Sequence, residues 1–184
     1  MNPADTDRAT ARLQIVEEHI RHENNHDLEG ILSTFGESAL YEEQPWGERH
    51  DGLRGVREYY EALIAALPDL HIEVQTQHTS GDAIILEVVI SGTHQAPWRG
   101  LPATGRKLEF PLCAVYTFTD DDRLAGERIY YDRATVFRQL GVFHEPQSAL
   151  GQLTTAVAHP ITIARAFLRH FVSRRGNRVA KQRQ

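Results

Sequence analysis

The period of the hydrophobic pattern changes near residue 70, and this change limits the folds open to the chain. Before it, apolar residues recur every three or four positions, as at Leu13, Val16 and Ile20, which is the period of an amphipathic helix. From His71 onward apolar and polar residues alternate, which is the period of a strand. Helices followed by a run of strands predict an α+β fold, with helices packed on one face of a curved antiparallel sheet.

The same patterns predict individual elements. Helical structure is expected over Ala9–Phe35 and Leu53–Leu67, and Asp27 is a candidate N-cap for a second short helix within the first region. The predicted strands are Ser38–Glu43, His71–Thr79, Ala83–His94, Arg106–Thr119 and Leu124–Asp132, with a loop over Gln44–Gly52 and a closing helix over Arg133–Leu140. The last four strands would form an antiparallel meander. Three helices over such a bent sheet form a cone, whose concave interior is a favourable place for a small molecule.

The chain after residue 143 has a different pattern. We expect a cone domain over residues 9–143 and a separate C-terminal segment over residues 144–184. His144–Gly151 is typical of a linker, and Val157–Val172 is predicted to be helical after Pro160. The tail then carries the basic residues Arg174, Arg175, Arg178, Lys181 and Arg183. The helix either packs on its own domain or a partner subunit, or attaches to a membrane surface through an amphipathic basic face.

Composition and missing motifs exclude several classes of function. A net charge of −5 gives no overall attraction for nucleic acid, so no nucleic-acid partner is expected. Cys113 is the single cysteine, which rules out an intramolecular disulfide. The N-terminal sequence lacks the apolar core of a secretory signal, and no run reaches the roughly 18 apolar residues of a membrane span. A cytoplasmic protein with no membrane span is therefore expected. The sequence also contains no nucleophile-elbow or phosphate-loop motif.

The stretch E-R-I-Y-Y-D-R-A-T-V-F-R-Q-L-G-V, from Glu127 to Val142, places one carboxylate where a strand pattern changes to a helical one. If Asp132 faced a pocket, burial would raise its pKa and suit it to proton transfer. The alternative is an N-cap, in which backbone N–H groups would lower its pKa instead. In the strand alternation Asp132 is in phase with Arg128 and Tyr130, while Glu127, Ile129 and Tyr131 point the other way.

Other side chains are candidates for a site in the cone. His94 ends a long strand and can donate to a carbonyl oxygen or accept a proton, or can simply bond to backbone as a loop histidine. Aromatic side chains expected to line a pocket, or only to pack, are Tyr41, Trp46, Tyr60, Trp98 and Phe110. Arg128 and Tyr130 are candidates for stabilising negative charge on a ligand.

Three histidines, at positions 19, 22 and 26, have the spacing of one helical face and could bind zinc. The acidic residues among them, Glu18, Glu23 and Asp27, are instead typical of a solvated face of mixed charge. No metal is therefore expected.

Two segments carry a resemblance to a known family. The loop G-T-H-Q-A-P-W-R-G-L-P-A-T-G-R-K-L-E-F at Gly92–Phe110 and the ending at Glu127–Gly141 resemble the SnoaL-like polyketide cyclases, of the nuclear-transport-factor-2-like superfamily. The resemblance covers roughly Leu13–Val142 and implies an α+β cone. It also implies a cofactor-free intramolecular aldol condensation, with Asp132 as the general acid/base. The family's strand histidine has no counterpart in Lys107–Thr119.

Two functions follow from these observations. One is a cofactor-independent acid/base enzyme, cyclase-like or isomerase-like, that acts on a small hydrophobic carbonyl compound. Asp132 would be its acid/base, and His94, Tyr130 or Arg128 would stabilise the developing oxyanion. The other is a non-catalytic module that binds a small ligand or a partner on the same fold. The resemblance further implies a homodimer.

Overall fold

The computed structural model describes residues 3–80, 82–166 and 168–169. The chain divides into two compact units, Met1–Leu140 and Gly141–Gln184. The first contains all the sheet and four helices, and the second contains the helical C-terminal segment.

Four helices belong to the first unit: α1 (Pro3–Asn24), α2 (Leu28–Thr34), α3 (Gly52–Ala66) and α4 (Arg133–Leu140). The predicted break between α1 and α2 is confirmed. Asp27 caps α2 by accepting a hydrogen bond from the backbone N–H of Gly30 at 3.0 Å. α1 begins six residues before the predicted position, at Pro3 rather than Ala9.

The strands are β1 (Phe35–Glu43), β2 (Glu48–Asp51), β3 (His71–Ser80), β4 (Ala83–Thr93), β5 (Lys107–Phe118) and β6 (Leu124–Tyr131). They form one curved, unclosed sheet in the order β2-β1-β6-β5-β4-β3. The antiparallel meander β3 to β6 is confirmed by the pairing of each strand with the next. Two features were not predicted: β2 lies in the expected loop, and β1 pairs with β6 in parallel.

The core of the first unit lies between the sheet and α1, α2 and α3. Alternate residues of β4, from Ile84 to Ile90, are buried, as the two-residue period requires. Tyr60 of α3 and Tyr116 of β5 are among the largest side chains that are almost fully buried. Their hydroxyl groups bring polar atoms into the interior, so these groups need partners there. The α+β prediction is confirmed.

The second unit contains α5 (Ala149–Ala158), followed by helical residues at 160–166 and 168–169. Ser148 caps α5 by accepting from the backbone N–H of Gly151 at 3.0 Å. α5 therefore begins inside the segment predicted to be a linker. The end of the predicted helix at Val172 and the basic tail lie outside the described residues. Within the described ranges, no helix is both long and apolar enough to cross a bilayer.

Candidate active site

The main cavity of the first unit lies between the sheet and helices α1 and α3. Its volume is about 50 Å³, so the cavity is narrow. Its aromatic lining consists of Tyr41, Tyr59, Trp98, Phe110, Tyr116 and Tyr131, and most of the other lining side chains are aliphatic.

Three carboxylates also line this cavity, each from a different element: Glu23 from α1, Glu43 from β1 and Glu127 from β6. Their exposed fractions are 4%, 1% and 4%. Ionised carboxylates are almost never buried without partners, because desolvation of the charge is costly. The partners of these three groups therefore determine the protonation states of the acids in the cavity.

Glu23 and Glu127 belong to an inner cluster, which we define as His19, Glu23, Tyr60 and Glu127. The hydroxyl of Tyr60 lies 2.8 Å from Glu23 Oε1, 3.0 Å from Glu127 Oε2 and 3.1 Å from His19 Nε2. His19 Nε2 also lies 3.3 Å from Glu127 Oε2. α1, α3 and β6 thus bring two acids, one base and one hydroxyl together at one end of the cavity.

The tautomer of His19 follows from its other neighbour. Thr34 Oγ1 donates its proton to the carbonyl oxygen of Ile31 at 2.6 Å, so it can only accept from the imidazole. His19 Nδ1 therefore carries a hydrogen, which it donates to Thr34 Oγ1 at 2.8 Å. This leaves Nε2 facing Tyr60 and the carboxylates, where it can accept or hold a proton.

The burial of the inner cluster changes its protonation. Burial raises the pKa of Glu23 to about 7, and the charge of Glu127 adds to this effect, while His19 and Tyr60 oppose it. Burial alone would lower the pKa of His19, but Glu23 and Glu127 outweigh it and raise that pKa above its ordinary value. Glu23 is therefore protonated in a large fraction of molecules near neutral pH. Its Oε2 has no hydrogen-bond partner among the described residues.

Glu43 belongs to an outer cluster, which we define as Glu43, Trp46, Glu48, Arg99 and Tyr131. Tyr131 donates its hydroxyl proton to Glu43, and Trp46 Nε1 donates to Tyr131 at 2.7 Å. Arg99 forms ion pairs with both Glu43 and Glu48. Burial raises the pKa of Glu43, although Tyr131 and Arg99 favour the charged form. The outer cluster thus neutralises the third cavity acid.

Arg99 also joins the outer cluster to the loop between β4 and β5. Its guanidinium lies 4.7 Å from the centre of the Trp46 ring and 5.7 Å from that of Trp98. Its backbone adopts φ = 54°, a left-handed conformation that is uncommon for a residue other than glycine. Trp98 lines both the cavity and a neighbouring surface groove. The ion pairs of Arg99 therefore help to fix the neighbouring Trp98, which lies between the cavity and the surface groove.

Of the two placements considered for Asp132, the structure shows the N-cap, outside the cavity. Its side chain is exposed rather than enclosed, and it accepts hydrogen bonds from the backbone N–H groups of Ala134 at 2.9 Å and Thr135 at 3.1 Å. The hydroxyl of Thr135 donates to it as well, at 2.7 Å. These bonds lower the pKa of Asp132. The geometry is that of the N-cap of α4, the alternative considered from the sequence.

The remaining candidates for the chemistry lie away from the cavity wall. Arg128 and Tyr130 are exposed, because their phase in β6 points away from the core, and Arg128 pairs with Glu42. His94 is fully buried, but it does not line the cavity, and its Nδ1 lies 3.1 Å from Thr104 Oγ1. His94 Nε2 has no hydrogen-bond partner among the described residues.

The aromatic candidates divide into three groups. Tyr41, Trp98 and Phe110 line the cavity. Tyr60 does not, but its hydroxyl holds two of the cavity carboxylates. Trp46 lies in the surface groove and belongs to the outer cluster.

The three histidines expected on one helical face do not converge on one site, and His26 lies in the turn between α1 and α2. His22 Nδ1 is 2.8 Å from Asp27, and His26 Nε2 is 2.9 Å from the carbonyl oxygen of Leu70. Glu23, expected on a solvated face, is buried. In the described ranges, the set that could hold a metal ion is His19, Glu23 and Glu127, whose ligand atoms lie within 4.8 Å of one another. The Tyr60 hydroxyl already bridges these atoms.

Sequence reasoning missed the inner cluster although one signal was present. The alternation in β6 correctly placed Glu127, Ile129 and Tyr131 on one face and Arg128 and Tyr130 on the other. The apolar Ile129 marks the first face as the inner one, which carries Glu127 inside. No comparable local signal marks Glu23, whose burial depends on elements far away in the sequence.

Comparisons with known proteins agree with this architecture. A family model described as SnoaL-like polyketide cyclase matches residues 11–140. No curated protein matches the sequence significantly. Among solved structures, AclR from Streptomyces galilaeus is 20% identical with a TM-score of 0.63, covering 72% of this chain and 97% of AclR. IdmH from Streptomyces antibioticus is 24% identical with a TM-score of 0.60, covering 71% of this chain and 99% of IdmH.

SalBIII is described as an epoxide hydrolase/cyclase-like enzyme with a role in pyran ring formation in the polyether salinomycin. It is 22% identical with a TM-score of 0.57, covering 66% of this chain and 91% of SalBIII. At these identities the solved structures show a shared fold alone. The family model, in contrast, matches well over half of the sequence. The chain therefore belongs to the SnoaL-like polyketide cyclase family.

Proposed function

We propose that this protein is a cofactor-independent acid/base enzyme that acts on a small hydrophobic carbonyl compound, with ring closure of a polyketide as the reaction class. The observation that carries the proposal is a pair of buried carboxylates, Glu23 and Glu127, on the wall of a narrow and mainly apolar cavity. The pKa of Glu23 is raised to about 7. A pair of acids in which one holds its proton near neutral pH can supply both an acid and a base.

In the proposed reaction, Glu127 is the general base and Glu23 the general acid. The carboxylate of Glu127 removes a proton from the carbon beside a carbonyl group, and the electron pair of that C–H bond forms the enolate. Protonated Glu23 donates a hydrogen bond to the oxygen on which negative charge develops. The enolate carbon then attacks a second carbonyl carbon of the same molecule. The resulting alkoxide takes the proton held by one of the two acids.

His19 and Tyr60 act as positioning residues in this scheme, because neither lines the cavity. The Tyr60 hydroxyl holds the two carboxylates at fixed positions, and the imidazole of His19 stabilises negative charge on Glu127 from 3.3 Å. Fixed partners of this kind lower the cost of orienting the acid and the base at each turnover.

The substrate is expected to be flat and largely apolar. Six aromatic rings line the cavity, and their faces favour stacking against a flat, apolar guest. The family to which the chain belongs, and the ring-forming role described for SalBIII, support a cyclisation as the reaction. Location in the cytoplasm and assembly as a homodimer stay predictions, which fractionation and light scattering would test.

The experiment is a turnover screen of linear and partly cyclised aromatic poly-β-carbonyl compounds, followed by mass spectrometry and absorbance. Glu127→Gln and Glu23→Gln keep the size of the side chain and remove the titrating group. We expect each to reduce the rate by at least about 100-fold, the usual contribution of one positioned acid or base. The matched control is Asp132→Asn, an exposed acid on the element that follows β6, which should leave the rate nearly unchanged.

Loss of turnover in Asp132→Asn together with normal turnover in Glu127→Gln would refute the assignment. A second candidate is the non-catalytic binding module. It is favoured by the narrowness of the cavity and by the protein hydrogen bonds that the inner cluster already makes. Binding of these compounds without turnover by the unsubstituted protein would select it.

A further inference from the structure

The C-terminal unit presents apolar side chains to solvent. Leu150, Leu153 and Val157 recur at spacings of three and four, which places them on one face of α5. Their exposed fractions are 51%, 61% and 73%. Ile161 and Leu168, in the helical residues that follow, are 67% and 65% exposed. Apolar side chains that recur along a helical segment and are exposed to this extent are typical of a surface that binds a partner.

The C-terminal part of the sequence is also strongly basic. Residues 146–184 contain no aspartate or glutamate and seven lysines or arginines, a contribution of +7. The whole chain carries −5, so residues 1–145 contribute −12. Two of the basic residues, Arg165 and Arg169, lie within the described helical residues that also carry Ile161 and Leu168.

We propose that residues 149–169 bind the surface of an anionic lipid bilayer as an interfacial, non-spanning segment. A bilayer interface accepts apolar side chains at the depth of the acyl chains and basic side chains at the level of the headgroups. Anionic headgroups attract residues 146–184, which carry +7 and include this segment, and repel the remaining residues, which carry −12. The charge distribution therefore favours contact of the bilayer with this segment rather than with the rest of the chain. The proposal is independent of the proposed function.

Charge also argues against the other occupants. A second copy of this segment would bring residues 146–184 of two chains together, each with a charge of +7, which costs energy at moderate salt. An acidic protein surface would satisfy the charges, but it would not remove five apolar side chains from water. Only a partner that is both anionic and apolar satisfies both observations, and an anionic bilayer has this chemistry.

The test is co-sedimentation of the full chain with vesicles of phosphatidylcholine alone or phosphatidylcholine mixed with phosphatidylglycerol. We expect binding to the mixed vesicles and at least about tenfold weaker binding to the neutral ones, with a loss of binding at high salt. The double substitution Leu153→Asp and Val157→Asp should remove the apolar contribution and reduce binding by about tenfold or more. Arg165→Gln with Arg169→Gln should weaken binding to the mixed vesicles only.

Gln152→Asp with Thr154→Asp is the matched control, because the pair adds the same two negative charges to α5 at exposed polar positions and should reduce binding much less than Leu153→Asp with Val157→Asp. All changed side chains are exposed, and thermal unfolding of each variant checks that the fold is kept. No binding to either vesicle, or equal binding to both, would overturn the proposal. The proposal would also be overturned if the protein did not bind vesicles and light scattering showed a dimer that Leu153→Asp dissociates. The partner of this surface would then be a second copy of the chain.

Discussion

Glu23→Gln should change how the stability of the protein depends on pH. The ordinary pKa of this carboxyl is 4.5, and in the folded protein it is raised to about 7. Between these two values the unfolded chain has lost the proton while the folded protein keeps it. Since the folded state then binds more protons, the free energy of unfolding falls as pH rises. The contribution of Glu23 is complete below pH 4.5 and is lost as pH rises through the folded pKa of about 7.

The size of this effect follows from the difference between the two pKa values. At about 1.4 kcal/mol per pH unit, ionisation of Glu23 costs the folded protein about 3 kcal/mol, and most of this loss falls between pH 5 and pH 8. His19 acts in the same direction, because its raised pKa gives stability that is complete below pH 6.5 and lost as pH rises through the folded value.

The assay is urea unfolding followed by circular dichroism at pH 5 and pH 8. Glutamine does not titrate, yet its side-chain oxygen still accepts the hydrogen bond from Tyr60. Between pH 5 and pH 8, the free energy of unfolding should therefore fall by about 2–3 kcal/mol less in Glu23→Gln than in the unsubstituted protein. Glu17→Gln, an exposed change on the same helix, should leave the pH dependence unaltered. If Glu23→Gln and the unsubstituted protein showed the same pH dependence of stability, the pKa of Glu23 would not be raised in the folded protein.

Three further changes test the clusters and the cap. Tyr60→Phe should cost about 2–3 kcal/mol in urea unfolding, because it removes the hydroxyl that bridges Glu23 and Glu127, whereas Tyr130→Phe on the exposed face should cost less than about 0.5 kcal/mol. Equal costs for the two would mean that the bridge contributes nothing. Arg99→Ala should destabilise by about 3 kcal/mol in the same assay, since Glu43 would be left buried without its cation, and a cost below 1 kcal/mol would contradict the ion pair. Asp132→Ala should lower the thermal stability by about 1 kcal/mol through loss of the α4 cap, with turnover kept, and no measurable loss of stability would argue against the cap.

Much of the fold could be predicted because its signals are local. The period of the hydrophobic pattern identified α3 to within one residue and the meander β3 to β6 to within two. The break at Asp27 was predicted from the preference for aspartate at N-caps. β2 and the parallel pairing of β1 with β6 were missed. The four residues of β2 carry too little periodicity, and the pairing joins residues at least 86 positions apart.

The site was harder to predict than the fold. Asp132 lies at the predicted junction between a strand and a helix, but the same position allows a cap as well as a catalytic acid. The apolar Ile129, on the opposite face of β6, was the local signal for the buried face. Glu127, five residues before Asp132, was assigned to the opposite face of β6, but that face was not identified as the inner one. The distinction rests on which face of β6 the helices cover.

The sequence by itself determined the alternation of faces, the cap at Asp27 and the division of charge between residues 1–145 and 146–184, since each depends on neighbouring residues or on composition. Only the tertiary structure decided that Glu23 and Glu127 meet, because 103 intervening residues must first fold α1, α3 and β6 around Tyr60. Burial, and with it the raised pKa of Glu23, is a property of that assembly. An isolated stretch of sequence has no interior, so it cannot show which of its acids will be enclosed.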